Sequence, residues 1–256
     1  MSSDRTVEQL VRVPLFRGVG TDLLARIRAQ AQSRSLGAGA LFFREGDEAD
    51  AFFVLTSGRV KLTQLTPDGH QVVLRIIGVG DAFGGAGAFG DLTYPIGAEA
   101  IEPAAALRWT STVMRRLMES EPRIALNAVD FVAARYHDLQ RRYRQLMTER
   151  VEQRIARALV QLGEQTGRPV SGGLEIGFSV SRQDIAEMTG TTLYTVSRLM
   201  SAWEERGIVR SARRRITITK PDALVAIADD MPRPRLRQRK DRLPSPPHTG
   251  AERRKR

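Results

Sequence analysis

Ser181-Arg182-Gln183-Asp184-Ile185-Ala186, then Gly190, then Thr191-Thr192-Leu193-Tyr194-Thr195-Val196-Ser197-Arg198 carries the capping and turn residues of two consecutive short helices. The Ser181 hydroxyl can accept an orphan backbone N–H in the first turn of a helix, and Asp184, three residues on, can reciprocate. Ile185, Ala186 and Met188 give that helix one apolar face. Gly190 adopts left-handed backbone without steric cost, so the chain can turn sharply there. Thr191 or Thr192 caps a second helix, whose apolar positions Leu193, Val196, Leu199, Met200 and Trp203 run on to Gly207. Two short helices meeting at a glycine turn form a helix-turn-helix.

The second helix of such a motif offers its N-terminal outer face to base edges in the major groove. Here that face carries Thr192, Tyr194, Thr195, Ser197 and Arg198. Arg198 is the sharpest candidate, because a guanidinium can bond guanine O6 and N7 together. Arg182, at the start of the preceding helix, is placed for a phosphate. Downstream, Ile208 to Arg210 and Ile216 to Thr219 read as a two-stranded wing bridged by Ala212-Arg213-Arg214-Arg215, which adds Arg213 and Arg214 to the DNA-binding candidates. Upstream, Val151, Ile155, Leu159 and Leu162 lie on one face of a helix running from about Glu149 to Gly167.

Further upstream the period changes. Val129, Val132, Tyr136, Leu139, Tyr143 and Leu146 recur at alternating spacings of three and four, which is an a/d seam. Arg135, Asp138, Arg141, Arg142 and Arg144 flank it, so the stripe is narrow and suits a partner helix, hence a homodimer. One helix packed on its own domain is the alternative. Before Thr110 the sequence breaks into short strands: Leu41 to Phe43, Ala51 to Ser57, Arg59 to Leu65, Gln71 to Ile77 and Ala104 to Thr110. Glu45-Gly46-Asp47, Ser57-Gly58 and Pro67-Asp68-Gly69 separate them as turns. Strands this short and closely spaced predict an antiparallel β-roll of the cupin-like, jelly-roll kind, preceded by a helix around Thr21 to Ala31.

The fold class is therefore α+β, in five parts. An N-terminal segment (1–14) leads to a sensor roll (15–121), a dimerisation helix (122–148), a winged helix-turn-helix (149–222) and a basic tail (223–256). The net charge is +11, and ten basic residues against Asp241 and Glu252 give the stretch from Pro232 onward a surplus of eight. Five prolines and few apolar residues make this tail a disordered extension with a general attraction for phosphate. Cysteine is absent, which excludes disulfides, thiolate nucleophiles and cysteine-ligated iron–sulfur clusters. No metal site is expected: His70, His137 and His248 are too scattered for a cluster, and haem ligated by His70, His137 or an N-terminal group is a minor alternative. No long apolar run suggests a membrane span or a secretory signal, so a cytoplasmic location is expected. Catalysis is not expected either, because no constellation of nucleophile, base or paired carboxylates occurs. Gly85, Gly87 and Gly90 satisfy a dinucleotide fingerprint, but Pro95 prevents the helix that would receive a pyrophosphate.

With these residues in view the chain resembles the Crp/Fnr family of bacterial regulators from Leu15 to Leu224. The resemblance rests on Ser181 to Ala186, Gly190 and Thr195-Val196-Ser197-Arg198, and on Gly46, Gly58 and Gly80-Asp81-Ala82-Phe83 in the roll. It implies a cyclic-nucleotide-binding-type roll, a long dimerisation helix and a Crp-type winged helix-turn-helix that binds double-stranded DNA, with RNA polymerase as a partner if the protein activates. The ending Ser197-Arg198 is closer to the Fnr branch, and Tyr194 stands where both branches carry a glutamate. The family's effector pocket maps onto Gly84, Gly85, Ala86, Ile96 and Gly97. Gly84-Gly85 replaces a Gly-Glu pair, and Ile96-Gly97 replaces the Arg-Ser or Arg-Thr pair that meets a cyclic phosphate. Cyclic AMP is therefore not expected as the effector. The run Tyr94 to Ala100 is similar to nitric-oxide-responsive and denitrification-linked subgroups. A regulatory ligand-binding module acting on a protein partner is the second reading, and the helix-turn-helix speaks against it.

Overall fold

The computed structural model describes residues 2–85, 93–212 and 214–229. Helix α1 (Ser2–Val11), a 3-10 turn (Pro14–Phe16) and α2 (Thr21–Ala29) precede eight strands: β1 (Gln32–Leu36), β2 (Leu41–Phe43), β3 (Ala51–Ser57), β4 (Val60–Leu65), β5 (Gln71–Ile77), β6 (Ala82–Phe83), β7 (Gly97–Ala100) and β8 (Ala104–Thr110). They pair antiparallel into two four-stranded sheets, ordered β1-β8-β3-β6 and β2-β7-β4-β5. The roll and the α+β class read from the sequence are thus present.

Strand β3 shows why the roll holds together. Side chains alternate between the two faces of a strand, and in Ala51-Phe52-Phe53-Val54-Leu55 both faces are buried. Ala51, Phe53 and Leu55 point into the roll, whereas Phe52 and Val54 join Leu107 and Trp109 beneath the helices. Trp109 also donates its indole N–H to the Ile27 carbonyl at 2.8 Å, tying α2 to the sheet. Leu10 and Val13 are buried in the same cluster, so the segment expected to precede the roll packs on it.

Thr110 caps helix α3 (Ser111–Ser120) by accepting from Val113 N–H, and Pro122 opens the long α4 (Pro122–Thr148). The start of α4 is anchored to the roll: Ile124, Asn127 and Ala128 are buried, and the Asn127 amide donates to the carbonyls of Leu15 and Arg17 at 2.9 and 2.8 Å. The C-terminal part comprises α5 (Val151–Thr166), β9 (Arg168–Val170), β10 (Gly173–Glu175), α6 (Arg182–Thr189), α7 (Leu193–Glu205), β11 (Val209–Ala212), β12 (Arg215–Ile218) and α8 (Pro221–Ala228). Its sheet runs β11-β12-β10-β9, so the expected two-stranded wing is extended by a second hairpin. Ile76 and Ile101 of the roll pack against the apolar core of this part. Among the described residues no helix is long and apolar enough to cross a membrane.

Candidate nucleic-acid interface

The two helices of the motif are fixed by local chemistry. Ser181 Oγ accepts from Asp184 N–H at 3.0 Å while Asp184 Oδ2 accepts from Ser181 N–H at 2.8 Å, a complete capping box built with aspartate. Gly190 takes φ 61°, the left-handed value that lets α6 stop and the chain turn. Of the two threonines open as caps, Thr192 is the one used, accepting from Thr195 N–H at 3.2 Å. Val196, Met200 and Trp203 then bury one face of α7, and the Trp203 indole donates to Glu152 at 3.3 Å across to α5.

That burial turns the opposite face of α7 outward. Tyr194 is 76% exposed, Arg198 is exposed, and Thr195 and Ser197 are half-buried beside them. Arg198 makes no ion pair among the described residues, so its guanidinium is free to meet a base edge. Arg182, expected to meet a phosphate, has a partner within the chain. It pairs with Glu204 at 3.4 Å and is half-buried, which ties α6 to the far end of α7. The wing turns tightly between Ala212 and Arg215, which are paired in register. Arg214 sits in that turn at φ 65°, a conformation costly for a side chain bearing a Cβ. Its carbonyl accepts from Val180 N–H at 3.0 Å, joining the wing tip to the residue before Ser181. Arg213 lies outside the described residues.

Beyond its anchored start, α4 presents an apolar stripe left exposed among the described residues. Val129, Val132, Tyr136, Leu139, Tyr143 and Leu146 are 50–65% exposed, and Leu126 and Met147 extend the stripe at both ends. The flanking charges pair along the helix, with Asp138 between Arg135 at 3.3 Å and Arg141 at 2.8 Å. Arg142 instead turns back to the Leu74 carbonyl of β5, and burial together with the nearby Arg75 holds its pKa below the usual arginine value.

Inside the roll the described aromatic side chains pack on one another. Phe42, Phe43, Phe53, Phe83 and Tyr94 pack ring on ring, with Tyr94 stacked on Phe43 at 3.7 Å between centroids. The Tyr94 hydroxyl accepts from Ala51 N–H at 3.0 Å and donates to the Ala51 carbonyl at 2.8 Å, and burial pushes its pKa up to about 12. Of the residues aligned with the family's effector pocket, Gly84 (φ 74°) and Gly97 have packing reasons to be glycine. A Cβ on Gly84 would lie 2.9 Å from Phe53, and one on Gly97 would lie 3.3 Å from Thr63. Gly85 and Ile96 are half-buried, while Ala86 and the fingerprint glycines Gly87 and Gly90 lie outside the described residues. The two described histidines from the haem alternative, His70 and His137, are both exposed. Sequence reasoning missed Tyr94 as a structural centre. Its neighbours Thr93 and Pro95 are exposed and its partner Ala51 lies 43 residues away, so no local pattern marked it.

An antiparallel roll, a long helix with a bare apolar stripe and a capped helix-turn-helix with a basic wing define a DNA-binding regulator of transcription. The comparisons agree. The cyclic nucleotide-binding domain family matches residues 33–121, and the Crp-like helix-turn-helix domain family matches residues 153–227. The nitrogen fixation regulation protein FixK of Azorhizobium caulinodans is 31% identical over 223 residues, covering 82% of this chain and 86% of that protein. The CRP-like cAMP-activated global transcriptional regulator of Mycobacterium tuberculosis is 26% identical over 217 residues, covering 85% of this chain and 97% of its own. Among solved structures, a transcriptional regulator of the CRP family from Thermus thermophilus superposes with a TM-score of 0.66. It is 26% identical and covers 77% of this chain and 96% of that one. The chain belongs to the Crp/Fnr family and is a Crp/Fnr-type DNA-binding transcription regulator.

Proposed function

We propose that two copies of this chain join along the α4 stripe and bind an imperfect palindrome, each placing α7 in a major groove. Arg198 reads one guanine per half-site, and Thr192, Tyr194, Thr195 and Ser197 line the same groove. The wing arginines Arg213 and Arg214 contact phosphates, and the basic tail from Pro232 adds sequence-independent attraction. The observation that carries this reading is the unpaired, outward Arg198 on a helix whose other face is locked into the core. Half-sites should lie about 34 Å apart, one turn of B-DNA, as two-fold symmetry requires. Arg182 acts through Glu204 to hold the motif in shape, with phosphate contact a secondary role.

Cyclic AMP, named for the mycobacterial relative, is not the signal in this reading. The aromatic filling of the roll supports that, as does the absence of a charged partner at Gly85 and Ile96. RNA polymerase is a partner if the operator lies where the protein can touch it.

The test selects an operator from random duplexes and titrates it and a scrambled duplex at several salt concentrations. Arg198→Ala should cost about 1–3 kcal/mol on the operator and relax one guanine, with little effect on scrambled DNA. Removal of Pro232 to Arg256 should weaken both duplexes by similar factors and flatten the salt dependence by about 0.9 per lost phosphate contact. Equal losses of Arg198→Ala on both duplexes would move base reading to Tyr194, Ser197 or the wing.

A further inference from the structure

Gly58 and Arg59 form the turn between β3 and β4, and this turn is built rigidly into the roll. Gly58 has φ 75°, and a Cβ there would lie 2.4 Å from the Pro103 carbonyl oxygen, so only glycine lets the turn sit on the start of β8. The Arg59 carbonyl accepts from Ile101 N–H at 3.0 Å on the same side. From this base the Arg59 side chain leaves the roll. Its guanidinium bonds Glu102 at 2.9 Å and lies over the ring of Phe178, 4.9 Å from the centroid. Arg59 is largely sheltered from solvent and Phe178 is buried, so the cation meets the ring with little competing water.

Phe178 belongs to a short segment with two downstream connections. Two residues on, Val180 donates to the Arg214 carbonyl at the wing tip, and the next residue, Ser181, caps the first helix of the motif. At the other end, Gly177 N–H reaches the Thr166 hydroxyl at 3.4 Å, at the end of α5. The segment 177–181 thus touches α5, the wing and the helix-turn-helix, and Arg59 is the cation that the roll lays upon it.

We infer that Arg59 is a positioning residue for DNA recognition: through Phe178 it sets the orientation of the helix-turn-helix and wing relative to the roll. This rests on the DNA-binding reading above but adds a route that bypasses α4. The roll needs no ligand in its filled interior to use the route. Any change that moves the β3–β4 turn against Pro103 is delivered to the segment that caps α6 and buttresses Arg214.

The route is tested with the full-length protein and the selected operator by fluorescence anisotropy, with sedimentation as a check on dimerisation. Arg59→Leu and Phe178→Leu should each weaken operator binding about three- to tenfold, the range a sheltered cation–π contact supports. The double variant should lose clearly less than the sum of the two single losses, because both remove the same contact. Scrambled-duplex affinity and the dimer should be unchanged, and Arg59→Lys, which keeps a cation over the ring, should recover most of the loss. Arg59→Leu with wild-type or tighter operator binding would overturn the inference, as would additive losses. Because Phe178 is buried, the decisive variants are the two at Arg59, which remove no core side chain. If wild type itself selected no operator, the DNA-binding reading would fail instead.

Discussion

Replacing Tyr94 by phenylalanine removes a single oxygen from the interior of the roll. That oxygen accepts from Ala51 N–H at 3.0 Å and donates to the Ala51 carbonyl at 2.8 Å, in a side chain only 3% exposed. The ring remains, and with it the stacking on Phe43. The loss therefore isolates two hydrogen bonds and strands two backbone groups at the start of β3. A buried group left without its partner costs about 1–3 kcal/mol, so the pair should cost about 2–6 kcal/mol. Urea unfolding should show this as a lower midpoint with an unchanged slope.

The same substitution should alter the response to alkali. Burial pushes the phenol up to about 12 from an ordinary 10.0, so above pH 10 the native state keeps a proton that the unfolded chain releases. Stability should therefore be fully present below pH 10 and fall between there and about pH 12, by on the order of 2–3 kcal/mol. Tyr94→Phe should lack that decline. It should also lack the phenol that titrates near pH 12 in an ultraviolet titration. A destabilisation under about 0.5 kcal/mol, well below one unsatisfied group, would refute the assignment of Tyr94 as the internal tie of the roll.

Leu139→Glu should place an unpaired ion at the two-fold axis of the proposed dimer, and sedimentation should show monomers that no longer bind operator. An intact dimer would reject the seam. Arg214→Gly should leave thermal stability equal or higher by up to about 1 kcal/mol, since glycine tolerates the φ of 65°. It should still weaken DNA binding and reduce the salt slope by about 0.9 if one phosphate contact is lost. Unchanged binding and slope would remove Arg214 from the interface.

The sequence was legible where local chemistry decides structure. Ser181, Gly190 and Thr192 mark helix ends because caps and left-handed turns have few alternatives, and the apolar spacing of Ile185, Val196 and Met200 leaves one face to bury. The long apolar or alternating strands β3, β5 and β8 were legible for the same reason. Strand β1, Gln32-Ser33-Arg34-Ser35-Leu36, was not: it is a polar edge held by pairing with β8, a non-local partner that periodicity cannot show. The hairpin of β9 and β10 was hidden by Pro169 and by glycines that read as a loop, and α1 by a charge-rich sequence whose Leu10 is buried by tertiary packing. Within the site, exposed Tyr194 and Arg198 follow from helix geometry alone. The pairing of Arg182 with Glu204 joins residues from two different helices, and the Tyr94 bonds span 43 residues, so neither follows from local pattern.

Asn127 gives the long helix a property of its own. Its two bonds to Leu15 and Arg17 clamp α4 at one end, and from there to Thr148 the rod extends roughly 30 Å with a rise of about 1.5 Å per residue. A rod held only there would turn a small angular error at the clamp into a large displacement at the tip, and Arg142, which donates to the Leu74 carbonyl of β5, is the second point that limits it. A tilt of about 5° at Asn127 would carry the far end some 2–3 Å over that length, comparable to the tolerance of a base contact. In the proposed dimer, the accuracy with which two recognition helices meet their half-sites therefore depends on both attachments of α4, the buried Asn127 amide and the Arg142 guanidinium.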